Sequence, residues 1–273
     1  VDLKEIAREI QAKDSPALLI NAEEAMLAAE RIDQLVEPFL GGEDPVFGFL
    51  TELNLPEFFD PELLSCLRSR IEALQSGTIY IVGCGATLVH EGDVHVYADL
   101  ARWEWQQRSR RNEVSNLGIS NRDERPSSQY KRSYFVDWRV ADRWKRPLIP
   151  RCDFYLYTHV AGDPKLVEGD AFRAGLLHTT KRPFRVVPFF DPAPWGGQWM
   201  KEVCDLDQSV ENYGWCFDCV PEENSLLLQF GDIVVETPSL NLVFQYPQAL
   251  LGSAVQARFG DEFPIRFDFL DTM

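Results

Sequence analysis

Positive charge is the first shortage in this chain. Its 273 residues carry 27 Lys and Arg against 43 Asp and Glu, a formal net charge of −16, with a pI near 4.7. That balance argues against wholesale binding of nucleic acid or of an anionic membrane surface. No run of about 18 apolar residues occurs, so no membrane-spanning helix is expected. Val1–Gln11 is charged throughout and does not read as a secretory leader. Histidine is scarce: His90, His95, His159 and His178 show no tight metal-ligand spacing. His90 and His95 bracket Glu91 and Asp93 on an expected loop, where surface histidines are the default and a lone metal site the alternative. The chain has no G-x-x-x-x-G-K-[S/T], no G-x-S-x-G and no H-E-x-x-H, which removes the usual signatures of phosphate-loop, nucleophile-elbow and zincin chemistry. Six cysteines without a leader fit free thiols in a reducing cytoplasm. Of these, only Cys216 and Cys219 form a C-x-x-C. With no second ligand pair, they read as two buried small hydrophobes, against a metal or redox pair.

What is present is a normal globular share of apolar residues, 45%, in two different periods. Leu3, Ile6, Ala7 and Ile10 predict an amphipathic helix over 1–12, and Ala17–Ile20 a short buried strand. Asn21 with Glu24 predicts a capping box for a helix running to about Glu37. Asp60 as cap and Pro61 at the first helical position predict a helix with Leu63, Leu64, Leu67, Ile71 and Leu74 inward and Gly77 closing it. Strands are expected at Thr78–Val82, Val94–Tyr97 and Asp153–Thr158, and a helix capped by Asp170 running to His178. Helices alternating with strands over 1–182 predict an α/β domain with a parallel sheet and flanking helices.

Positive charge, scarce overall, is concentrated in one section. Asp99–Arg151 holds thirteen Lys and Arg against seven Asp and Glu, and four of the seven Trp. Two basic helices are expected there, from Asp99 to about Glu113 and over Gln129–Trp144. In the second, Tyr130, Tyr134, Trp138 and Ala141 share one face, with Lys131, Arg132, Arg139 and Arg143 around the others. Such arginines pair with acidic neighbours in the fold or gather round a phosphate. The anion-binding candidates are Gly83 and Gly85, in a Gly-Cys-Gly turn after a strand, with Arg102, Arg108, Arg132 and Arg139. The alternative for the glycines is a tight turn joining two strands. Strand, glycine turn, strand and arginine-rich section resemble the later half of phosphate-loop small-molecule kinases, where the arginines form a lid. Without the phosphate loop, phosphoryl transfer is not expected; pairing of these arginines within the fold is the default for 99–151, and a non-catalytic phosphate- or nucleotide-binding module is the alternative.

The period changes at residues 183–199, where Pro188, Pro192 and Pro194 exclude a central strand and Gly196-Gly197 allows a sharp bend. Short strands follow at Trp215–Cys219, Ser225–Phe230, Ile233–Glu236, Leu240–Gln245 and Ile265–Leu270, with a hairpin signal at Gly231-Asp232. A second, all-β domain over 183–273 is expected. Pro194-Trp195-Gly196-Gly197, then Trp215 and Ser225, then Gln248-Ala249-Leu250-Leu251-Gly252, then Phe263-Pro264-Ile265-Arg266-Phe267 come in an order that resembles the opening of type I mannose-6-phosphate isomerase, a cupin-barrel enzyme. The resemblance implies an incomplete cupin-like barrel and a metal-dependent interconversion of mannose 6-phosphate and fructose 6-phosphate. Residues 1–182 would be an accessory domain. Zinc in that family is held by Gln, His, Glu and His side chains, the first two in a Gln-Val-His-Pro motif that this sequence does not contain. No catalytic residue or metal ligand is therefore carried over, and no cofactor is expected in this chain. The expectation is that 1–273 is the N-terminal portion of a longer cytoplasmic enzyme, inactive alone. A sugar phosphate would be the substrate of the whole protein, with no nucleic-acid or membrane partner and homo-oligomerisation left open. A purely structural N-terminal domain that aids assembly is the plainest alternative.

Overall fold

The computed structural model describes residues 3–44, 48–160, 162–180 and 225–238. They comprise helices and small sheets, with α/β character. Two compact units are formed: 1–97 with 109–154, and 98–108 with the described residues after 154. The expected boundary after 182, and the expected strands at 215–219, 240–245 and 265–270, lie outside the described residues.

The first unit opens with α1 (Leu3–Asp14) and β1 (Leu18–Asn21). The single helix expected from Asn21 to Glu37 is broken in two. Ala22–Ala25 forms a 3₁₀ turn, and α2 spans Ala29–Val36. The break has a backbone cause: Ala25 O accepts from Asp60 N at 2.8 Å, Leu27 N donates to Phe58 O at 2.9 Å, and Met26 bridges Phe59. Asn21 caps as expected, but through Glu23 N at 3.1 Å, while Glu24 turns out to Arg70 at 3.3 Å. α3 (Pro61–Glu72) forms where its cap predicts, with Asp60 accepting from Glu62 N at 2.8 Å and Leu63 N at 3.2 Å. Leu64 and Leu67 are buried, whereas Leu63 is exposed.

β2 (Ile79–Val82) pairs parallel with β1, Leu18 opposite Ile79 through Asn21 opposite Val82. A parallel pair needs a long crossover, which the intervening helices supply. Ile20, Ile32, Val36, Leu55, Phe58, Val136 and Val140 form the core of this unit. α4 (Ala86–Val89) follows the glycine turn directly, so the turn joins a strand to a short helix rather than two strands.

Farther along lie β3 (Val96–Asp99), α5 (Arg102–Arg110), α6 (Pro126–Arg132) and α7 (Trp138–Leu148). α6 and α7 are joined by a π turn at Ser133–Asp137. The expected basic helix is thus longer and carries a bulge. It is also not an exposed basic surface, because Arg132 and Arg139 are each only 5% exposed. Burial of Arg132 is tolerated because it donates to Leu117 O at 2.7 Å and lies 3.5 Å from Asp137 and 3.3 Å from Asp33.

β4 (Phe154–Tyr157) and β5 (Lys165–Glu168) join β3 in a three-stranded sheet, with β4 central. The one parallel sheet expected across 1–182 is therefore divided into two separate sheets. In the second unit α8 spans Gly169–Thr180, and Phe172 stacks on Tyr155 with centroids 3.9 Å apart. β6 (Ser225–Phe230) and β7 (Ile233–Pro238) form the expected hairpin, antiparallel, Phe230 opposite Ile233, closed by Gly231 at φ +60. Gly175 on α8 admits Phe230, since a Cβ there would lie 2.9 Å from the ring.

Candidate functional site

A cleft of about 220 Å³ opens in the first unit between α4, the 90–95 loop and the residues flanking β4. Thr87, Glu91, Gly92, His95, Arg151 and Asp153 line it. Each is placed by a local cause. Gly92 takes the left-handed turn at φ +71, and its N–H donates to His90 Nδ1 at 2.9 Å, which reverses the loop. Asp153 Oδ2 accepts from His95 N at 2.7 Å, while His95 O accepts from Asp153 N at 2.9 Å and Phe154 N at 3.2 Å. These bonds fix the histidine against the start of β4. Arg151 Nη1 meets Glu91 Oε2 at 2.8 Å across the mouth. Thr87 Oγ1 is buried without a hydrogen-bond partner.

Burial lowers the His95 pKa below its ordinary value, and the Arg151 guanidinium adds to this against the opposing pull of Asp153 and Glu91. The imidazole is therefore neutral near pH 7, with one nitrogen able to donate and the other able to accept. Residues from two stretches of the chain, 87–95 and 151–153, meet here, about 60 positions apart in sequence. His95 read as a surface histidine for that reason: nothing near it in sequence marks Arg151 or Asp153 as its neighbours.

The second unit holds a buried polar knot. His159 is 7% exposed, and its Nε2 accepts the Ala101 N–H at 2.9 Å. An imidazole thus serves the N-terminus of α5, where Asp99 was the expected cap. Asp99 instead accepts from Leu100 N at 2.9 Å and Thr237 Oγ1 at 3.4 Å. Tyr157 stacks on the His159 ring at 4.2 Å, and Trp103 sits tilted at 5.8 Å. Trp103 Nε1 donates to Glu236 Oε1 at 2.6 Å, and Glu236 Oε2 lies 3.9 Å from His159. His159 Nδ1 is buried without a partner. Burial lowers the His159 pKa, although Glu236, Glu104 and Asp99 oppose the shift.

The six anion-binding candidates fall in both units. Gly83 (φ +101) and Gly85 (φ +79) are both left-handed. The amide between them is taken: Cys84 N donates to Glu23 Oε1 at 3.2 Å. A carboxylate of the chain thus occupies a donor that a phosphate cradle would use. Burial pushes the Cys84 thiol up to about 12, with Glu23 and Asp137 adding to it, so this cysteine is not a poised nucleophile. Arg108 pairs with Glu104 at 2.8 Å and donates to Thr158 O at 2.9 Å and His159 O at 2.8 Å. Arg102 is buried in the second unit, and Arg132 and Arg139 in the first. Among the described residues Cys66, Cys84 and Cys152 are free thiols. No group of three His, Cys, Asp or Glu among the described residues is placed to hold a metal ion, and none of their helices is long and apolar enough to cross a membrane.

An α/β chain with a polar cleft in one unit and a buried histidine knot in the other is the class these observations define. The chain belongs to the family described as a domain of unknown function, DUF8485, whose model matches residues 1–181. No curated protein and no solved structure matches it.

Proposed function

We propose that this chain is part of a mannose-6-phosphate isomerase, with residues 1–182 an accessory domain and 183–273 the opening of a cupin-type β domain. The observation that carries the reading is the order of motifs from Pro194-Trp195-Gly196-Gly197 to Phe263-Pro264-Ile265. The antiparallel hairpin at Ser225–Phe230 and Ile233–Pro238 supports it, since a cupin barrel is built from such pairs. The reaction moves a proton between two adjacent carbons of an open-chain sugar phosphate, which needs a base and an electrophile that polarises the oxygen. The described residues do not fit the family's zinc, because no three ligands converge among them and Gln-Val-His-Pro is not in the sequence. No catalytic step is therefore assigned to residues of this chain.

The test is enzymatic. Protein expressed from its complete reading frame is expected to interconvert mannose 6-phosphate and fructose 6-phosphate in a coupled assay. A chelator should abolish turnover and zinc should restore it. Absence of turnover with zinc or another divalent ion supplied would end this assignment.

A further inference from the structure

Helix α1 is held loosely. None of its residues is buried, and its apolar stripe of Leu3, Ile6, Ala7 and Ile10 is only partly covered. It touches the rest of its unit near both ends. Tyr80 Oη donates to Asp14 Oδ2 at 2.7 Å, and Leu3 Cδ1 lies 3.3 Å from the place a Cβ on Gly83 would take. Both partners belong to β2 and the turn after it. The ion pairs Arg8–Glu9 and Lys13–Glu9, each at 3.5 Å, lie within the helix and move with it. An element with so little buried surface sits at the low-stability end of a fold. The link from α1 to β1 is short and fixed at its far side. Ala17 N donates to Thr78 O at 2.9 Å, and Ala17 Cβ fills the space that Gly77 leaves, since a Cβ there would lie 2.5 Å away. Ser15 and Pro16 are left as the hinge. Ser15 is exposed and left-handed at φ +47. Among the described residues Asn112 is the one other non-glycine at positive φ, and asparagine visits that region more readily than serine. A residue before proline favours extended backbone at negative φ. The docked position of α1 therefore holds Ser15 out of its preferred basin, and relaxation to that basin lifts α1 off its own β2.

A short strained hinge beside a loosely held element favours exchange of that element between copies. We propose that α1 is an exchangeable arm, which leaves its own β1–β2 pair and docks on that of a second copy of this chain. The surface is already fitted to its occupant, because the arm of one copy meets on the other the same Tyr80 and Gly83 that it meets at home. Charge permits the exchange. Lys4, Arg8 and Lys13 balance Glu5, Glu9 and Asp14, so a neutral arm enters a chain of net charge −16 without adding repulsion. The two forms share their docking contacts and differ at the hinge. A short link gives the docked arm an effective concentration on the order of millimolar. Relief of the left-handed backbone at two hinges per dimer lowers the chain concentration needed by at least about tenfold, to roughly 0.1 mM. The arm and its dock lie wholly in the first unit and do not depend on the isomerase reading.

The experiment is size-exclusion chromatography with light scattering on the full chain, warmed and cooled at concentrations up to about 0.5 mM, several times the roughly 0.1 mM at which exchange is expected. A dimer should form and persist on dilution long enough to be isolated. Ser15→Gly accepts positive φ without penalty, so it keeps the monomer fold while lowering the dimer association constant at least about tenfold. Dimers mixed from isotope-labelled and unlabelled chains should show a filtered NOE between the Leu3 methyls of one copy and Gly83 of the other. A chain monomeric throughout that range would overturn the proposal. So would a dimer that Ser15→Gly leaves unchanged, or one without the Leu3–Gly83 signal between copies, since either describes surfaces that meet without exchange. Isomerase activity plays no part in these readouts, so either reading can fail alone.

Discussion

His159 is the residue whose chemistry is most constrained by its surroundings. Its ring accepts the Ala101 N–H and lies between Tyr157 and Trp103, facing Asp99, Glu104, Arg108 and Glu236. Because burial lowers its folded pKa below the unfolded value near 6.5, the unfolded chain binds more protons as pH falls. Its stabilising contribution is full above about pH 6.5 and is lost as pH drops toward the folded pKa. Urea melts at pH 7.5 and 5.5 should therefore show lower stability at the acid end, and His159→Gln should flatten that difference. An unchanged pH slope in the variant would remove His159 from the account. At Gly85 the argument is steric. The residue is left-handed at φ +79, and a Cβ would enter the Phe59 ring. Left-handed backbone costs a non-glycine residue roughly 1–2 kcal/mol, and overpacking adds roughly 1–3. Gly85→Ala should lose about 2–4 kcal/mol in denaturant unfolding. A loss below about 0.5 kcal/mol, the size of an ordinary surface change, would mean the turn relaxes freely.

Among the elements, α3 and the α6–α7 pair differ in how local their causes are. α3 is specified by its own sequence through Asp60 and Pro61. Asp60→Ala should cost about 1 kcal/mol by leaving the Glu62 and Leu63 amides without their acceptor, read as a lowered unfolding midpoint. The π turn at Ser133–Asp137 is held from outside itself. The two hydrogens of Asn116 Nδ2 are shared among three acceptors within reach: Gln129 O at 3.1 Å, Ser133 Oγ at 2.8 Å and Asp137 Oδ2 at 2.6 Å. Ser109 Oγ bonds Gln129 Oε1, and Gln129 Nε2 reaches Asn121 O at 2.6 Å. Burial raises the Asp137 pKa, while Arg132 and Asn116 counter it. Asn116→Ala would strand several buried groups at roughly 1–3 kcal/mol each, so a loss of about 2–4 kcal/mol is expected, and Asn116→Asp should not rescue it because a carboxylate would face Asp137. Wild-type stability of Asn116→Ala would show the network to be incidental. Periodicity made a helix over this segment legible, but not the bulge. A bulge depends on Asn116 and Leu117, about twenty residues upstream, whose backbone and side chain reach Asp137.

At the scale of the molecule, a net charge of −16 means that compact folding concentrates like charge. Raising salt from about 0.01 M to 0.15 M shortens the Debye length from roughly 30 Å to 8 Å. The thermal midpoint should rise by a few degrees over that range, and a fall would show that attractive pairs such as Arg108–Glu104 outweigh the repulsion. The sequence by itself determined features with short-range causes: the α3 cap, the β6–β7 hairpin, the α/β alternation and the acidity of the whole. Only the tertiary structure decided where the basic section went. Arg132 and Arg108 turn inward because carboxylates and carbonyls distant in sequence are close in space. It also decided that β1 pairs with β2 and, among the described residues, with no other strand, that the His159 ring accepts the Ala101 N–H just ahead of α5, and that His95 meets Arg151 and Asp153. Local propensity acts over a few residues, whereas a cleft or a buried ion pair exists only once chain closure has brought its parts together.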